Sequence, residues 1–273
     1  VLNLGVEGMM IMGAICGFAT AVTTGNPYLG FLGGAAGAAC LSLIFAFLTQ
    51  VMLANQVATG LALTLFGQGL SSLIGQGYVG LKPPLTGTVP LGPLADIPFL
   101  GPILFAQDPF VYASVGLTVA VAWFLNRTRA GLVLRACGES ATAAHALGYP
   151  VLRIRFYALL FGGGCAGLAG AYLSLVLTPF WTSGMTSGRG WIALAIVVFA
   201  SWMPWRAALG AYLFGGVTIL QLHAQGAGVP VPPQLMAALP YLITIVALVV
   251  IMRARSGGSA GPAALGTPFV PDR

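Results

Sequence analysis

The side chains able to do chemistry are few and widely spaced. Of the five acidic residues, Glu7 alone falls near a predicted membrane span. Glu7 and Arg189 are the only ionisable residues near or within apolar stretches and away from the basic loops. A charge at the centre of a bilayer costs about 2.5–3.5 kcal/mol by insertion scales, so such a group faces a bundle interior or water. Glu7 therefore has two readings: a cavity-facing hydrogen-bond acceptor for a polar solute, or a residue at the cytoplasmic helix end satisfied by water and nearby backbone N–H groups. The amides Asn3, Asn55, Gln56 and Gln68 divide in the same way. They line a pathway for neutral polar solutes, or they make interhelical hydrogen bonds of about 0.6 kcal/mol each. Phe180 and Trp181 stand beside a Thr/Ser/Gly-rich stretch. An aromatic ring there would stack a base or sit in an interfacial belt.

Other chemistries lack their parts. His145 and His223 are too isolated for a metal or a proton relay. Cys16, Cys40, Cys137 and Cys165 have neither C-x-x-C nor zinc-like spacing. Three of them lie in apolar segments, where cysteine behaves as a small hydrophobe. No metal site, cofactor site or disulfide framework is indicated, and no triad-like grouping of Ser, His and Asp can be inferred. The phosphate-binding pattern G-x-x-x-x-G-K-[ST] is missing, and Lys82, the only lysine, has no such context. ATP hydrolysis is not expected of this chain.

The elements that must position these residues follow from composition. Of 273 residues, 58% are hydrophobic and 6% charged, with a mean hydropathy of +0.94. A soluble domain carries about 25% charged residues to solvate its surface, so most of this chain's exterior faces lipid. Unpaired backbone polar groups are costly in lipid, which makes each long apolar run a helix. Eight spans are predicted, at roughly 6–24, 29–53, 56–76, 110–126, 154–176, 190–203, 207–224 and 237–252. The sixth is short for a crossing. It is tilted, or joined to a half-helix built from Thr178–Arg189. The fold class expected is an all-α polytopic membrane bundle. A further span is expected before Val1, because the first residues already read as the interior of a motif.

Gly25-Asn26-Pro27 marks a tight turn, and residues 77–109 form a long Gly/Pro-rich loop with Pro83, Pro84, Pro90, Pro93, Pro98 and Pro102. Val229-Pro230-Val231-Pro232-Pro233 interrupts the chain before the last span. With eight alternating spans, Arg127, Arg129, Arg135, Arg153, Arg155, Arg206, Arg253, Arg255 and Arg273 share one side, and Lys82 and Arg189 the other. The positive-inside rule makes the arginine side cytoplasmic. The same rule accounts for the net charge of +6 and the pI near 9.5 without a nucleic-acid partner. Residues 1–255 thus read as one transmembrane domain with a cytoplasmic loop at about 127–155. Residues 256–273, rich in Gly, Ala and Pro, read as a disordered cytoplasmic tail.

That loop is too long and too regular for a bare turn. Gly138 would end one element, Ser140 would N-cap a short Ala-rich helix, and Gly148 would terminate it. From the residues alone it is an ordinary loop helix or a handle for a cytoplasmic motor. The segment from Gly131 to Pro150 resembles the cytoplasmic loop of bacterial ABC importer permeases for simple sugars, nucleosides and branched-chain amino acids. Gly131, Arg135, Ala136, Gly138, Glu139, Ala143, Ala144 and Gly148 match the pattern, with Ser140 where asparagine is usual. Val1–Met10 resembles the N-L-G-x-E-G-M-M signature of nucleoside and sugar permeases. Asn55–Leu63 and Gly188–Ala195 are similar to two further segments, N-Q-V-x-x-G-L-A-L and G-R-G-F/W-I-A-L-A. Ala54 stands where the family often has a basic or polar residue.

The resemblance, covering Val1 to about Gln225, is closest to the purine-nucleoside type. It implies an inner-membrane, multi-pass permease forming an alternating-access pathway for a neutral solute, most often a nucleoside, with simple sugars and branched-chain amino acids as alternatives. It implies that residues 139–148 dock on a separate ABC ATPase, with Arg135, Gly138, Glu139, Ala143, Ala144 and Gly148 as coupling residues. A second permease subunit and an external substrate-binding lipoprotein are the other implied partners. An ion-coupled secondary transporter is the competing class. It would need intramembrane Asp/Glu/His relays or inverted repeats with broken helices, and so few acidic residues make a relay hard to assemble.

Overall fold

The computed structural model describes residues 1–84, 87, 107–228, 232–253 and 261–270. Pro90, Pro93, Pro98 and Pro102 of the long loop, Val229-Pro230-Val231, and Arg255 and Arg273 lie outside the described residues.

All described regular structure is helical. The helices are α1 (Val6–Thr24), α2 (Pro27–Ala46, continued by a π-helical turn Phe47–Val51), α3 (Gln56–Gly75), α4 (Pro109–Arg127), α5 (Arg129–Glu139), α6 (Ala141–Ala146), α7 (Val151–Tyr172, continued by a π-helical turn Leu173–Leu177), α8 (Arg189–Phe199), α9 (Pro204–Gly226) and α10 (Pro233–Arg253). Six of these are long and apolar enough to cross a membrane, and Arg189–Phe199 and Gln234–Ala247 are shorter apolar helices. They correspond to the eight apolar segments read from the sequence.

Local chemistry explains the boundaries. Gly25 closes α1 in the left-handed region at φ +69°, where a side chain would be strained. Asn26 then caps α2, accepting from the N–H groups of Tyr28 (2.9 Å) and Leu29 (3.4 Å), with Pro27 at the first helical position. Asp108 caps α4 in the same way, accepting from Phe110 N at 2.9 Å.

α1 is the hub, packed against α2, α3, α7 and α8. Met9, Ile11, Ala14, Ile15 and Phe18 are wholly buried. Lipid gives no hydrophobic drive to bring helices together, so close backbone approach must supply it. Gly13 of α1 faces Gly167 of α7 backbone to backbone, and a side chain at Gly8 would come within 2.6 Å of Leu63 O on α3. Hydroxyls stitch the same contacts. Ser42 donates to Leu159 O at 2.6 Å and Ser174 to Ala14 O at 2.9 Å, satisfying buried groups where no water reaches.

α4 is fastened differently. Phe110 at its outer end stacks on Phe31 of α2 (3.4 Å between centroids), and its cap Asp108 accepts from the Tyr172 hydroxyl of α7 at 2.9 Å. Otherwise α4 touches chiefly α5 and α9.

The short sixth segment is a half-crossing. Eleven residues rise about 16 Å at 1.5 Å each, roughly half of a ~30 Å hydrocarbon core. The half-helix expected from Thr178–Arg189 is not formed, since residues 178–188 are turns and extended backbone. With glycines at 184 and 188, both at positive φ, this stretch has too little helix propensity to continue α7.

Within the tail, residues 261–270 make specific contacts with the body of the chain. Ala264 N donates to Gly138 O at 2.9 Å, and Phe269 is buried against Cys137, Ala141, Ala144 and Val151. One buried aromatic ring in a Gly/Ala/Pro-rich stretch supplies the burial that composition averages away.

Candidate functional site

Two regions carry the sequence-predicted residues. The first is the α5–α6 corner. Thr128 caps α5 by accepting from Gly131 N at 3.0 Å. α5 ends at Glu139, and Ser140 caps α6, its hydroxyl accepting from Ala143 N at 3.2 Å. Gly148 ends the turn at φ +86°, its N–H donating to His145 O at 2.8 Å. Cap and terminator are those expected, and the helix itself is Ala141–Ala146, two residues shorter at each end than the 139–148 stretch.

The corner has two faces. Ala141 and Ala144 point inward and are buried, while Thr142, Ala143, His145, Ala146, Gly148 and Pro150 are exposed. Leu147 is 76% exposed and Tyr149 41%. Both lie just past the end of α6 and expose apolar surface on the connection to α7. Arg135 and Glu139 are exposed beside it, and Gly138 is half-buried. Of the six residues expected to couple, Ala144 alone is buried, on the inner face. Burial pushes the Cys137 thiol up, with Arg155 partly opposing it, so the group is held protonated and unreactive near neutrality.

The second region surrounds the start of α1. The Glu7 side chain is buried to 1% exposure. Its Oε1 accepts from the Thr186 hydroxyl (2.6 Å) and Gly188 N (2.9 Å), and its Oε2 from Gly190 N (2.7 Å). The two backbone donors belong to the unsatisfied first turn of α8, where a carboxylate also meets the positive end of the helix dipole, and the Thr186 hydroxyl adds a third bond from the preceding turn. A side chain at Gly190 would come within 2.7 Å of the Glu7 Cα, so only glycine lets α8 start there. Of the two readings of Glu7, the geometry matches satisfaction by backbone N–H groups, with α8 rather than the helix's own end as the donor.

The amides hold backbone too. Gln56 Oε1 accepts from Leu2 N at 2.7 Å, and its Nε2 is buried without a partner. Asn3 accepts from Gly5 N at 2.9 Å and borders a cavity of about 190 Å³ with Val6, Leu159, Leu194 and Trp202. Asn55 caps α3, accepting from Val57 N and Ala58 N at 3.0 Å each. Gln68 is half-buried on α3. Trp181 belongs to the hydrophobic core at 2% exposure, its ring against Gly75, so it is neither a belt residue nor an open stacking surface. Arg189 is exposed at the first position of α8. The structure thus gathers Asn3, Glu7 and Gln56 near the start of α1, with Arg189 between the two glycines that hold Glu7 and Asn55 next to Gln56, and leaves Gln68 and Trp181 farther along. Sequence reasoning missed Thr186, which carries the shortest bond to Glu7, and Phe269. Thr186 sits two residues before the quoted Gly188–Ala195 segment, the one available signal.

A bundle of apolar helices stitched by glycine, with a capped helical corner projecting from its arginine-bearing connection, defines a multi-pass membrane permease. Residues 1–248 match the family described as branched-chain amino acid transport system / permease component, and the chain belongs to that family. It is similar to a putative glucose ABC transporter permease of Haloferax volcanii (42% identity over 97% of this chain and 88% of the relative). It is also similar to a guanosine ABC transporter permease of Bacillus subtilis (32%, 99% and 88%) and a nucleoside ABC transporter permease of Lactococcus lactis (29%, 99% and 88%). No solved structure matches. The chain is accordingly the permease component of an ABC transporter, a multi-pass protein of the inner membrane.

Proposed function

We propose that this permease imports a neutral solute built on a sugar ring, driven by a separate ATPase that docks on the exposed face of α6. The observation that carries the reading is the pair of exposed apolar side chains just past the end of α6, Leu147 at 76% and Tyr149 at 41% exposure, after a helix capped at Ser140 and a turn at Gly148. Positive residues on the flanking connections assign that face to the cytoplasm, where nucleotide is available. Arg135, Gly138, Glu139, Ala143 and Gly148 frame the contact, and Ala144 seats the helix from within.

Relatives named for glucose and for guanosine differ in the base but share a hydroxyl-rich ring, and a nucleoside or a simple sugar fits this family better than a charged solute. A branched-chain amino acid, the solute in the family's description, is the third arm of the assay. A second permease and an external binding protein complete the importer. Glu7 and Gln56 hold the scaffold around the pathway, and Arg189 and Gln68 are its lining candidates.

The test is uptake of labelled guanosine, glucose and leucine by the reconstituted complex, with the partner ATPase intact or with its phosphate-binding lysine replaced. Uptake of a sugar-bearing solute that stops with the lysine variant supports the reading. Undiminished uptake without hydrolysis would sink it.

A further inference from the structure

Residues 261–270 run beneath the α5–α6 corner. Ala264 N donates to Gly138 O (2.9 Å), Ala263 N to Glu139 Oε2 (3.4 Å), and Arg155 Nη1 to Thr267 O (3.2 Å). Phe269, 5% exposed, packs between Cys137, Ala141, Ala144 and Val151. Its ring meets His145 edge-on at 5.5 Å and lies 5.9 Å from the Arg155 guanidinium carbon. At the other end of the segment, Gly261 rests on the Trp202 ring, in the turn between α8 and α9. Residues from α5, α6, α7 and the α8–α9 turn are thus joined by ten residues of extended chain and turn.

The face of α6 covered by this segment is opposite the exposed one. A six-residue helix is too short to hold its own shape, because isolated helices below about 12 residues are marginal in water. Something must stiffen α6 if a push on its outer face is to move the bundle rather than bend the loop. The backbone bonds to Gly138 and Glu139 fix the helix's entry, and Phe269 fills the space beneath Ala141 and Ala144.

We propose that residues 261–270 are a brace for the coupling helix, with Phe269 the positioning residue that seats α6 against α5 and α7 so that movement of the docked ATPase reaches α8. The proposal rests on the reading of α6 as the docking helix. Phe269 touches neither solute nor ATPase in this arrangement and acts only through α6.

The brace has a built-in reporter in Cys137, 2% exposed and in contact with Phe269. The full complex is prepared with Cys16, Cys40 and Cys165 replaced by alanine, and labelling of Cys137 by N-ethylmaleimide is timed. Phe269→Ala is expected to speed labelling about tenfold or more, the change that follows loss of a buried aromatic anchor. Ala264→Pro, which removes the N–H given to Gly138, is expected to act in the same direction with Phe269 in place. In proteoliposomes, Phe269→Ala is expected to retain bound ATPase and its hydrolysis while lowering the solute imported per ATP about threefold or more, with Phe269→Leu restoring most of the ratio.

Equal labelling rates in parent and variants would overturn the brace, as would faster labelling with an unchanged ratio of solute to ATP. Docking is checked separately by cross-linking the ATPase to Leu147→Cys in the parent complex. Failure of that cross-link removes the docking reading and the brace with it, whereas a cross-link with an unchanged ratio removes the brace alone.

Discussion

α1 and α9 are nearly alike in apolar character and opposite in surroundings. Two-thirds of the most apolar stretch of α1 is buried inside the chain, against 6% of that of α9. Both carry glycines. Those of α1 meet neighbours at once, Gly13 against Gly167 and Gly17 where an added side chain would come within 2.8 Å of the Ala171 Cβ, while Gly215 and Gly216 of α9 face open space. Mean hydropathy therefore says that a helix enters lipid and nothing about whether it touches protein there. The discriminating signal is the spacing of small residues and hydroxyls on one face, which lets two backbones approach and trade hydrogen bonds. In α1 that face is shared with Gly30 and Gly34 of α2 and Gly167 and Gly170 of α7.

The contrast is open to attack by substitution, and the largest effect belongs to the hub. Gly13→Leu is expected to cost about 3 kcal/mol or more, because backbone on both helices must move, and the same change at Gly215 should fall within about 0.5 kcal/mol. Thermal melts of the two detergent-purified variants compare them directly, and equal losses would erase the distinction. Next comes Glu7→Gln, which removes the charge and puts an amide donor among the backbone donors Gly188 N and Gly190 N and the Thr186 hydroxyl. A loss of about 1.5–3 kcal/mol is expected from the charge-assisted bonds, with faster proteolysis between Thr178 and Arg189 as its local mark. Ser42→Ala, which removes the bond to Leu159 O, should lower stability by about 1 kcal/mol. At the bottom of the scale stands Leu220→Ala on α9, a side chain 69% exposed in the single chain, for which a shift below about 0.5 kcal/mol is expected in a dispersed single subunit. A larger shift there would mean that α9 is packed against protein.

Cys137 adds a pH prediction. Burial pushes its thiol pKa up, with Arg155 partly opposing, so less of it is ionised at a given pH than of an ordinary thiol. Alkylation at pH 8.5 should lag behind that of a free cysteine, and the lag should shrink as the pH rises further.

Much of the fold was legible because its signals are local. Apolar runs of about 20 residues must be helices in lipid, and Asn26-Pro27, Ser140 and Gly148 announce ends through their own side chains or backbone freedom. The half-helix α8 was legible at its start, 190 against the observed Arg189, but not at its end, since it stops at Phe199 rather than near 203. Glu7 itself shows why site residues resist such reading. A carboxylate near an apolar stretch serves solute or scaffold according to donors 179 to 183 residues away, and no local pattern encodes that distance. The contacts of the tail were illegible for the opposite reason. Composition averaged over residues 256–273 hides one phenylalanine whose burial does not depend on its neighbours' polarity.

The outer clasp of α4, in which Phe110 stacks on Phe31 and Asp108 holds Tyr172, has a mechanical corollary. The other tip of α4 is Arg127, one residue from α5, and Gly131 lets α5 pack directly against the Phe124 carbonyl there. A displacement of the corner would therefore be felt first at that tip, the clasp being the far end of the same rod.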